Sequence, residues 1–168
     1  MSTKIKIGIV GGAGYTGGEL LRILVNHPNA DIVFVHSNSN AGNPIYKVHT
    51  DLIGSTDLVF SSELSSAIDV LFLCVGHGDA SKFLDANPIE SHIKIIDLSQ
   101  DFRIEKEGND FVYGLPELQR DKIKNAKNIA NPGCFATCIQ LGLLPLAANK
   151  VLESDIHVSG ITGSTGAG

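Results

Sequence analysis

Cys134 stands directly after Asn131-Pro132-Gly133, where an apolar, helix-favouring run begins. A thiol at the first position of a helix has its thiolate form stabilised by free N–H groups and by the positive end of the helix dipole. Pro132 and Gly133 form a turn into that helix, with Asn131 as a candidate capping residue. A metal ligand would need further Cys or His residues nearby, which the sequence does not offer. The setting therefore predicts a nucleophilic cysteine and no metal.

The other two cysteines have settings that predict packing. Cys74 lies inside the apolar run DVLFLCV, and Cys138 follows Cys134 by one helical turn among apolar neighbours. A disulfide between Cys134 and Cys138 is geometrically poor because the two lie on successive turns of one helix. We therefore expect Cys74 and Cys138 to be buried and slow to react.

A glycine-rich turn offers a second kind of chemistry. The stretch IGIVGGAGYTGGELLRIL places Gly12-x-Gly14-x-x-Gly17 between a predicted strand and a predicted helix. In that position the spacing is typical of dinucleotide binding, because glycine lets the pyrophosphate approach the backbone and the helix N-terminus faces the phosphates. A tight turn without a ligand is the alternative interpretation.

The residues after the second predicted strand indicate which nucleotide is preferred. Residues 36–42 read HSNSNAG and contain no Asp or Glu, the residues that usually hold the ribose hydroxyls of NAD. The hydroxyls of Ser37 and Ser39 can instead donate to a 2′-phosphate, which a carboxylate would repel. The sequence therefore predicts NADP(H) as the cofactor.

Short apolar runs alternate with longer amphipathic segments, which predicts an α/β fold with a doubly wound, mostly parallel sheet of the Rossmann type. Residues 99–125 form a less regular region, and the segment from residue 154 predicts a new strand that runs into a Gly/Ser/Thr loop. We expect a dinucleotide-binding domain at 1–150 and only the start of a second, α+β domain at 151–168. The predicted strands are 4–10, 31–37, 57–61, 69–75 and 92–98 with a short run at 127–130, and the predicted helices are 15–26, 79–86 and 134–149.

Charge and hydropathy exclude several classes of protein. The 168 residues include 13 basic and 18 acidic side chains, and neither sign forms a run. A nucleic-acid surface needs clustered Lys and Arg, so no nucleic-acid partner is expected. The sequence shows no apolar stretch of about 18 residues and no signal-peptide pattern, so we expect no membrane span and a cytoplasmic location.

A thiolate next to a nicotinamide implies a class of reaction. The pair interconverts an aldehyde and an acyl derivative through a thiohemiacetal and a thioester. The sequence thus predicts an oxidoreductase in which Cys134 forms the covalent intermediate.

Five segments of the chain resemble the N-acetyl-gamma-glutamyl-phosphate reductases, NADPH-dependent enzymes of arginine biosynthesis. The likeness covers essentially the whole chain and is carried by GGAGYTGGEL, SNSNAG, DLSQDFRI at 97–104, YGLPEL at 113–118 and NPGCFAT at 131–137. It implies reduction of N-acetyl-gamma-glutamyl phosphate to the semialdehyde with phosphate release, through a thioester on Cys134. The residues that it implies around the cofactor phosphates are Gly12, Gly14, Tyr15, Thr16 and Gly17.

Further expectations follow from the same resemblance. The loop VGHGDA, with Gly76 and His77, matches a family loop near the cofactor. The family often has Arg where this chain has Asn38, and it runs to about twice this length. Its second domain supplies the acid/base histidine, most contacts to the acyl-phosphate substrate and the surface of a homo-oligomer. The catalytic histidine is thus not among His27, His36, His49, His77, His92 and His157.

Three alternatives remain open at this point. The first is an enzyme like aspartate-semialdehyde dehydrogenase, although the residues around Cys134 differ from that family's. The second is a reductase acting on an aminoadipyl or N-succinyl-glutamyl phosphate. The third is a non-catalytic NADP-binding module without a reactive thiol. For the polar residues Asp101, Arg103 and Glu117 we expect structural ion pairs.

Overall fold

A computed structural model describes residues 3–167 of the chain, and of Ala167 only the backbone. Seven strands form one sheet with the order β3-β2-β1-β4-β5-β7-β6, and every pair of neighbours is parallel. The predicted α/β class with a doubly wound parallel sheet is confirmed. The strands are β1 (Ile5–Val10), β2 (Ala30–His36), β3 (Phe60–Ser61), β4 (Val70–Leu73), β5 (Lys94–Asp97), β6 (Phe111–Tyr113) and β7 (Asn128–Ala130).

Helices connect the strands across both faces of the sheet. They are α1 (Tyr15–Leu24), α2 (Asp79–Ala86), α3 (Pro116–Asn125) and α4 (Cys134–Ala148), with short 3-10 turns at Ile45–Lys47, Thr50–Leu52 and Ser164–Ala167. None of the helices described over 3–167 is long and apolar enough to cross a membrane.

Two hydrophobic clusters explain why the helices lie on opposite faces. Leu21 of α1 packs with Ile9 and Val35 on one face, whereas Ala80 of α2 packs with Leu71 and Ile95 on the other. Alternate residues of a strand point to opposite faces, so apolar strands such as β1 and β4 supply both clusters.

The structure corrects the predicted secondary structure at two places. The less regular region at 99–125 contains two elements that the sequence pattern did not predict, β6 and α3. The strand predicted from residue 154 is absent, because residues 151–163 form no helix or strand and pair with none of the described strands. A strand requires a neighbour for its backbone hydrogen bonds, and this segment has none in residues 3–167.

Candidate active site

The glycine turn joins β1 to α1 at the carboxyl edge of the sheet. The N–H groups of Gly11 and Gly12 both donate to the carbonyl of His36, at 3.2 and 3.1 Å, which ties the turn to the end of β2. Burial lowers the pKa of the His36 side chain, against a hydrogen bond with Asn38 that raises it. The strand order reverses at β1, where a doubly wound sheet binds its ligands.

The three glycines of the motif differ in why a side chain is disfavoured there. A Cβ on Gly12 would lie 2.2 Å from a methyl group of Val35, and one on Gly17 would lie 2.6 Å from the carbonyl oxygen of Gly11. These two glycines allow α1 to pack closely on the sheet. A Cβ on Gly14 would come no nearer than 3.5 Å to any atom. Gly14 is exposed, so packing within the protein does not require a glycine there.

Several N–H groups of the turn and of the start of α1 have no hydrogen-bond acceptor in the described part of the chain. Within residues 3–167 no backbone or side-chain acceptor receives the N–H groups of Ala13, Tyr15, Thr16 or Gly17. The first turn of α1 has no acidic residue and no side-chain cap. The turn therefore presents unpaired donors and the positive end of a helix dipole to an anion.

Hydroxyl and amide groups follow β2 at the same edge. The side-chain amide of Asn40 donates to the hydroxyl oxygens of Ser37 and Ser39, at 3.4 and 3.1 Å. Because those oxygens accept, both hydroxyl protons remain available to donate. Ser39 is exposed and Ser37 is buried, so Ser39 offers the more accessible donor.

The loop between β4 and α2 is held by residues that follow β5. Asp101 accepts the N–H groups of Gly78 and Ser81, at 2.6 and 3.0 Å, and so caps α2 from another part of the chain. Burial raises the pKa of Asp101, but these N–H donors outweigh burial, so that the pKa lies below its ordinary value. His77 accepts the N–H of Gln100 through Nδ1, at 3.1 Å. Gly76 and His77 are exposed at the same edge.

A buried carboxyl group holds the residues that follow β5. Asp97, the last residue of β5, is fully buried and accepts the hydroxyl of Ser99 at 2.8 Å. Burial raises the pKa of Asp97, against the hydrogen bonds from Ser99 that lower it. The Ser99 hydroxyl oxygen in turn accepts the N–H of Asp101 at 3.1 Å, which links the core to the capping carboxylate.

Cys134 is the first residue of α4, and it is exposed. Gly133 is the N-cap, and no side chain caps the helix. The proposed capping role of Asn131 is wrong, because its amide donates instead to the carbonyl of Pro132 at 3.2 Å. Over the described residues no acceptor receives the N–H groups of Cys134, Phe135 or Ala136, so free donors lie beside the thiol.

Arg103 braces the turn that leads to this cysteine. Its Nε donates to the carbonyl of Asn131 at 2.8 Å, and its Nη2 donates to the carbonyl of Leu98 at 2.9 Å. A Cβ on Gly133 would lie 2.8 Å from Nη1, so a glycine makes room for the guanidinium.

Three polar residues differ from the sequence-based expectation. Asp101 and Arg103 bind backbone groups, and neither they nor Glu117 form an ion pair within residues 3–167. A carboxylate and a guanidinium satisfy loop N–H and C=O groups here, which a charge pattern in the sequence does not reveal.

Of the other two cysteines, both predicted to be buried, only one is. Cys74 is buried, and burial together with the charge of Asp97 raises the pKa of its thiol to about 12. Cys138 is exposed, contrary to expectation. The sequence of α4 is apolar on all sides, which predicts burial. In the described structure, however, no residue of α4 is buried.

The sheet order places the two chemical groups at one edge. β1 precedes the glycine turn and β7 precedes Cys134, with β4 and β5 between them. Three strand spacings of ~4.8 Å separate β1 from β7, so the turn and the thiol lie on the order of 14 Å apart along the edge. An extended dinucleotide can bridge such a distance.

A cavity of about 530 Å³ lies at the same edge, lined by His77, Gly78, Gln100, Asp101, Arg103 and Ile104. Another cavity of about 370 Å³ lies near the amino ends of β4 and β5, where Ile68 and Ile93 line it, and it contains none of the predicted site residues. Residues 3–167 bring no three His, Cys, Asp or Glu side chains together as a metal-binding group.

Family comparisons agree with this arrangement. A family model described as the NAD binding domain of semialdehyde dehydrogenase matches residues 6–126, and one described as the dimerisation domain matches residues 134–168. The first match alone covers more than half of the chain. This chain belongs to the semialdehyde dehydrogenase family. The predicted domain boundary at residue 150 stays a prediction.

Curated members of this family resemble the chain over nearly all of its length. The N-acetyl-gamma-glutamyl-phosphate reductase of Parabacteroides distasonis is 62% identical over 165 residues, which make up 98% of this chain and 51% of that protein. The protein of the same name from Christiangramia forsetii is 52% identical over 164 residues, again 98% of this chain and 51% of that protein. The chain thus spans about half the length of the curated relatives it matches.

Solved semialdehyde dehydrogenases share the fold. Aspartate semialdehyde dehydrogenase II of Vibrio cholerae, complexed with ASA, aligns with a TM-score of 0.67 and 19% identity over 87% of this chain and 47% of its own. The aspartate semialdehyde dehydrogenase of Candida albicans, solved with NADP, aligns with a TM-score of 0.65 and 18% identity over 88% and 48%. At these identities the likeness shows the fold alone.

Sequence reasoning missed several residues that hold the site. Ser99 links Asp97 to Asp101, and His49 binds the carbonyl of Gly12 at 2.7 Å from the segment between β2 and β3. No local motif marks His49, because its partner Gly12 lies 37 residues away in the sequence. Ser99 lies within the segment DLSQDFRI, directly after a predicted strand, but its residue type alone does not show that it joins Asp97 to Asp101.

Proposed function

We propose that this chain is the cofactor-binding, nucleophile-bearing part of an NADPH-dependent N-acetyl-gamma-glutamyl-phosphate reductase of arginine biosynthesis. The observation that carries the proposal is the exposed Cys134 at the start of α4, on the sheet edge that also carries the open glycine turn. Such an enzyme reduces N-acetyl-gamma-glutamyl phosphate to N-acetylglutamate semialdehyde and releases phosphate. The same proposal places the enzyme in the cytoplasm.

Cys134 acts as the nucleophile in this proposal. Its thiolate attacks the acyl carbon, the new C–S bond forms, and the bond from that carbon to the phosphate oxygen breaks, so that phosphate leaves with the electron pair. The free N–H groups at the start of α4 are suited to stabilise the oxyanion that forms during this step. NADPH, when bound, supplies the hydride that reduces the thioester. The thiohemiacetal that forms on Cys134, as its alkoxide, then collapses: the C–S bond breaks, the semialdehyde leaves and the thiolate is restored.

The cofactor residues of the proposal surround the glycine turn. The open side of Gly14 and the N–H groups beside it suit a pyrophosphate. Ser37 and Ser39 offer hydroxyl donors to a 2′-phosphate, and no carboxylate follows β2 before Asp51. These contacts support NADP over NAD. The same proposal places Tyr15, Thr16 and Gly76 around the bound cofactor.

Comparisons favour one substrate over the alternatives. The relatives with 62% and 52% identity carry the name of the N-acetyl-gamma-glutamyl-phosphate reductase, whereas the two aspartate-semialdehyde dehydrogenases described above align at only 19% and 18%. An N-acetylated gamma-glutamyl phosphate is therefore the substrate proposed, ahead of aspartyl, aminoadipyl or N-succinyl-glutamyl phosphates.

Oligomer formation is part of the proposal. Residues 134–168 match a dimerisation domain, and they include α4, an apolar helix with no buried residue. A helix that is apolar on all sides is stable when other elements cover it. We place the contact between copies of the protein in the domain that begins here, together with the acid/base histidine.

Substitution of two neighbouring cysteines tests this function in the full-length protein. Cys134→Ser should bind NADPH as the parent does and lose acyl-phosphate reduction by several orders of magnitude, because the hydroxyl stays protonated at neutral pH. Cys138→Ser is the matched control, since Cys138 is also exposed and lies one turn further along α4, and it should keep most activity. A Cys134→Ser enzyme as fast as the parent would refute the proposal. A parent that binds NADPH but reduces no acyl phosphate would indicate a non-catalytic binding module.

A further inference from the structure

His49 lies outside every motif that the sequence offers, yet it contacts the glycine turn directly. It lies between the two 3-10 turns of the segment that joins β2 to β3, and only 7% of its surface is exposed. Its Nε2 lies 2.7 Å from the carbonyl oxygen of Gly12. A carbonyl oxygen only accepts, so Nε2 carries the proton and donates.

This hydrogen bond fixes the peptide plane at the centre of the turn. In a trans peptide the C=O and the next N–H point in opposite directions, and no cis peptide occurs in residues 3–167. Because the Gly12 carbonyl points to His49, the N–H of Ala13 points away from His49. It is one of the N–H groups without an acceptor in the described structure.

The imidazole ring is itself held rigidly. A Cβ on Gly18 would lie 2.6 Å from Cε1 of His49, so α1 packs against the ring only because residue 18 is glycine. Phe60 flanks the ring with a centroid distance of 6.3 Å. The backbone N–H of His49 donates to the carbonyl of Ile45 at 2.9 Å, which also fixes the main chain at this residue.

An ion pair fastens the same segment to α1. Arg22 donates to both carboxylate oxygens of Asp51, through Nε at 2.6 Å and Nη2 at 2.8 Å. The segment therefore cannot shift relative to the helix without breaking these bonds. Since the segment follows Ser37 and Ser39 in the chain, it connects the proposed 2′-phosphate contacts to the pyrophosphate turn.

We propose that His49 is a positioning residue for the dinucleotide: by donating from Nε2 to the Gly12 carbonyl, it aims the Ala13 N–H at the cofactor pyrophosphate. The proposal rests on the proposed binding of NADP(H) at this turn. It predicts that cofactor affinity depends on a hydrogen-bond donor at position 49, and that a ring of similar volume without a donor is not sufficient.

Two substitutions separate the donor from the ring in the full-length protein. His49→Phe keeps a ring against Gly18 and Phe60 but removes the donor, whereas His49→Gln keeps an N–H donor. We expect His49→Phe to weaken NADP binding roughly tenfold by calorimetry, the loss of about one hydrogen bond, and His49→Gln to retain most affinity. In turnover the KM for NADPH should rise while kcat stays near that of the parent. His92→Phe, at an exposed histidine near the amino edge, is the control and should change neither.

The outcomes are distinguishable. A parent protein that does not bind NADP refutes the proposed function, whereas a parent that binds and a His49→Phe variant that binds equally well overturn this inference alone. Equal losses in His49→Phe and His49→Gln would likewise overturn it, because they would show that only packing matters. Should His49→Phe not fold, the imidazole ¹⁵N spectrum of the parent still decides: a proton on Nε2 supports the proposal and a proton on Nδ1 alone contradicts it.

Discussion

The side chain of Arg103 donates a hydrogen bond from Nε to the backbone carbonyl of Asn131, three residues before Cys134, at 2.8 Å. A second hydrogen bond, from Nη2 to the carbonyl of Leu98, fixes the other end of the guanidinium. The residues that follow β5 thereby hold the turn that positions the proposed nucleophile.

Replacing Arg103 should destabilise the fold, because the turn before Cys134 loses its support. Arg103→Met removes both hydrogen bonds and should lower the free energy of unfolding by about 2 kcal/mol in urea titrations. Arg103→Lys can replace one donor and should lose about half as much. If Arg103→Met unfolds at the same urea concentration as the parent, the guanidinium does not support this turn.

Two glycines of the turn should respond differently to the same change. Gly14→Val should leave the free energy of unfolding close to that of the parent, because the added atoms enter open space, and it should abolish NADP binding by blocking the pyrophosphate. Gly17→Val should destabilise the fold by about 2 kcal/mol or more, because its Cβ meets the Gly11 carbonyl. Calorimetric titration and urea unfolding measure the two effects. A Gly14→Val variant that binds NADP as tightly as the parent would show that the pyrophosphate does not lie at this turn.

A carboxylate after β2 should shift nucleotide preference towards NAD. Ser39→Asp places a negative charge at an exposed position and should weaken NADP binding about tenfold or more through repulsion of the 2′-phosphate, with little effect on NAD. Ser37→Asp should act in the same direction, although its buried site makes it the less clean test. The control is Ser91→Asp, exposed before β5. Equal affinity of the parent for NADP and NAD would contradict the proposed preference.

The capping carboxylate of Asp101 should make stability depend on pH in the acid range. Its pKa is lowered in the folded protein, so its ionised form stabilises the fold above the unfolded pKa of about 3.9, and this contribution is lost as the pH falls through the lower, folded value. Asp101→Asn should be less stable than the parent by about 1 kcal/mol at pH 7. The difference should shrink as the pH falls below about 4. A difference that is independent of pH would show that the carboxylate charge is not involved.

Much of the fold could be predicted because its strands are buried on both faces. Apolar runs at β1, β2, β4 and β5 marked the sheet, and the glycine spacing marked the turn into α1. Helix α3 was missed because none of its residues is buried, so the sequence there carries no apolar stripe. β6 was missed because it has three residues at the sheet edge.

Site residues could be predicted only where the adjacent residues in the sequence were sufficient to indicate the role. Cys134 is such a case, since its position at a helix start follows from the residues just before it. The support from Arg103, Asp101 and His49 could not be predicted, because each binds backbone groups at least 20 residues away. The exposure of Cys138 was also missed, because an apolar sequence predicts burial whether or not covering elements are present.

Trapping the acyl-enzyme tests the central proposal most directly. The full-length protein is mixed with N-acetyl-gamma-glutamyl phosphate in the absence of NADPH, quenched in acid, digested and measured by peptide mass. We predict release of phosphate and an N-acetylglutamyl adduct on the peptide that contains Cys134, absent in Cys134→Ser and retained at Cys134 in Cys138→Ser. Turnover by the parent without any adduct on Cys134, or an equal adduct in the Cys134→Ser variant, would contradict the assignment of Cys134 as the nucleophile.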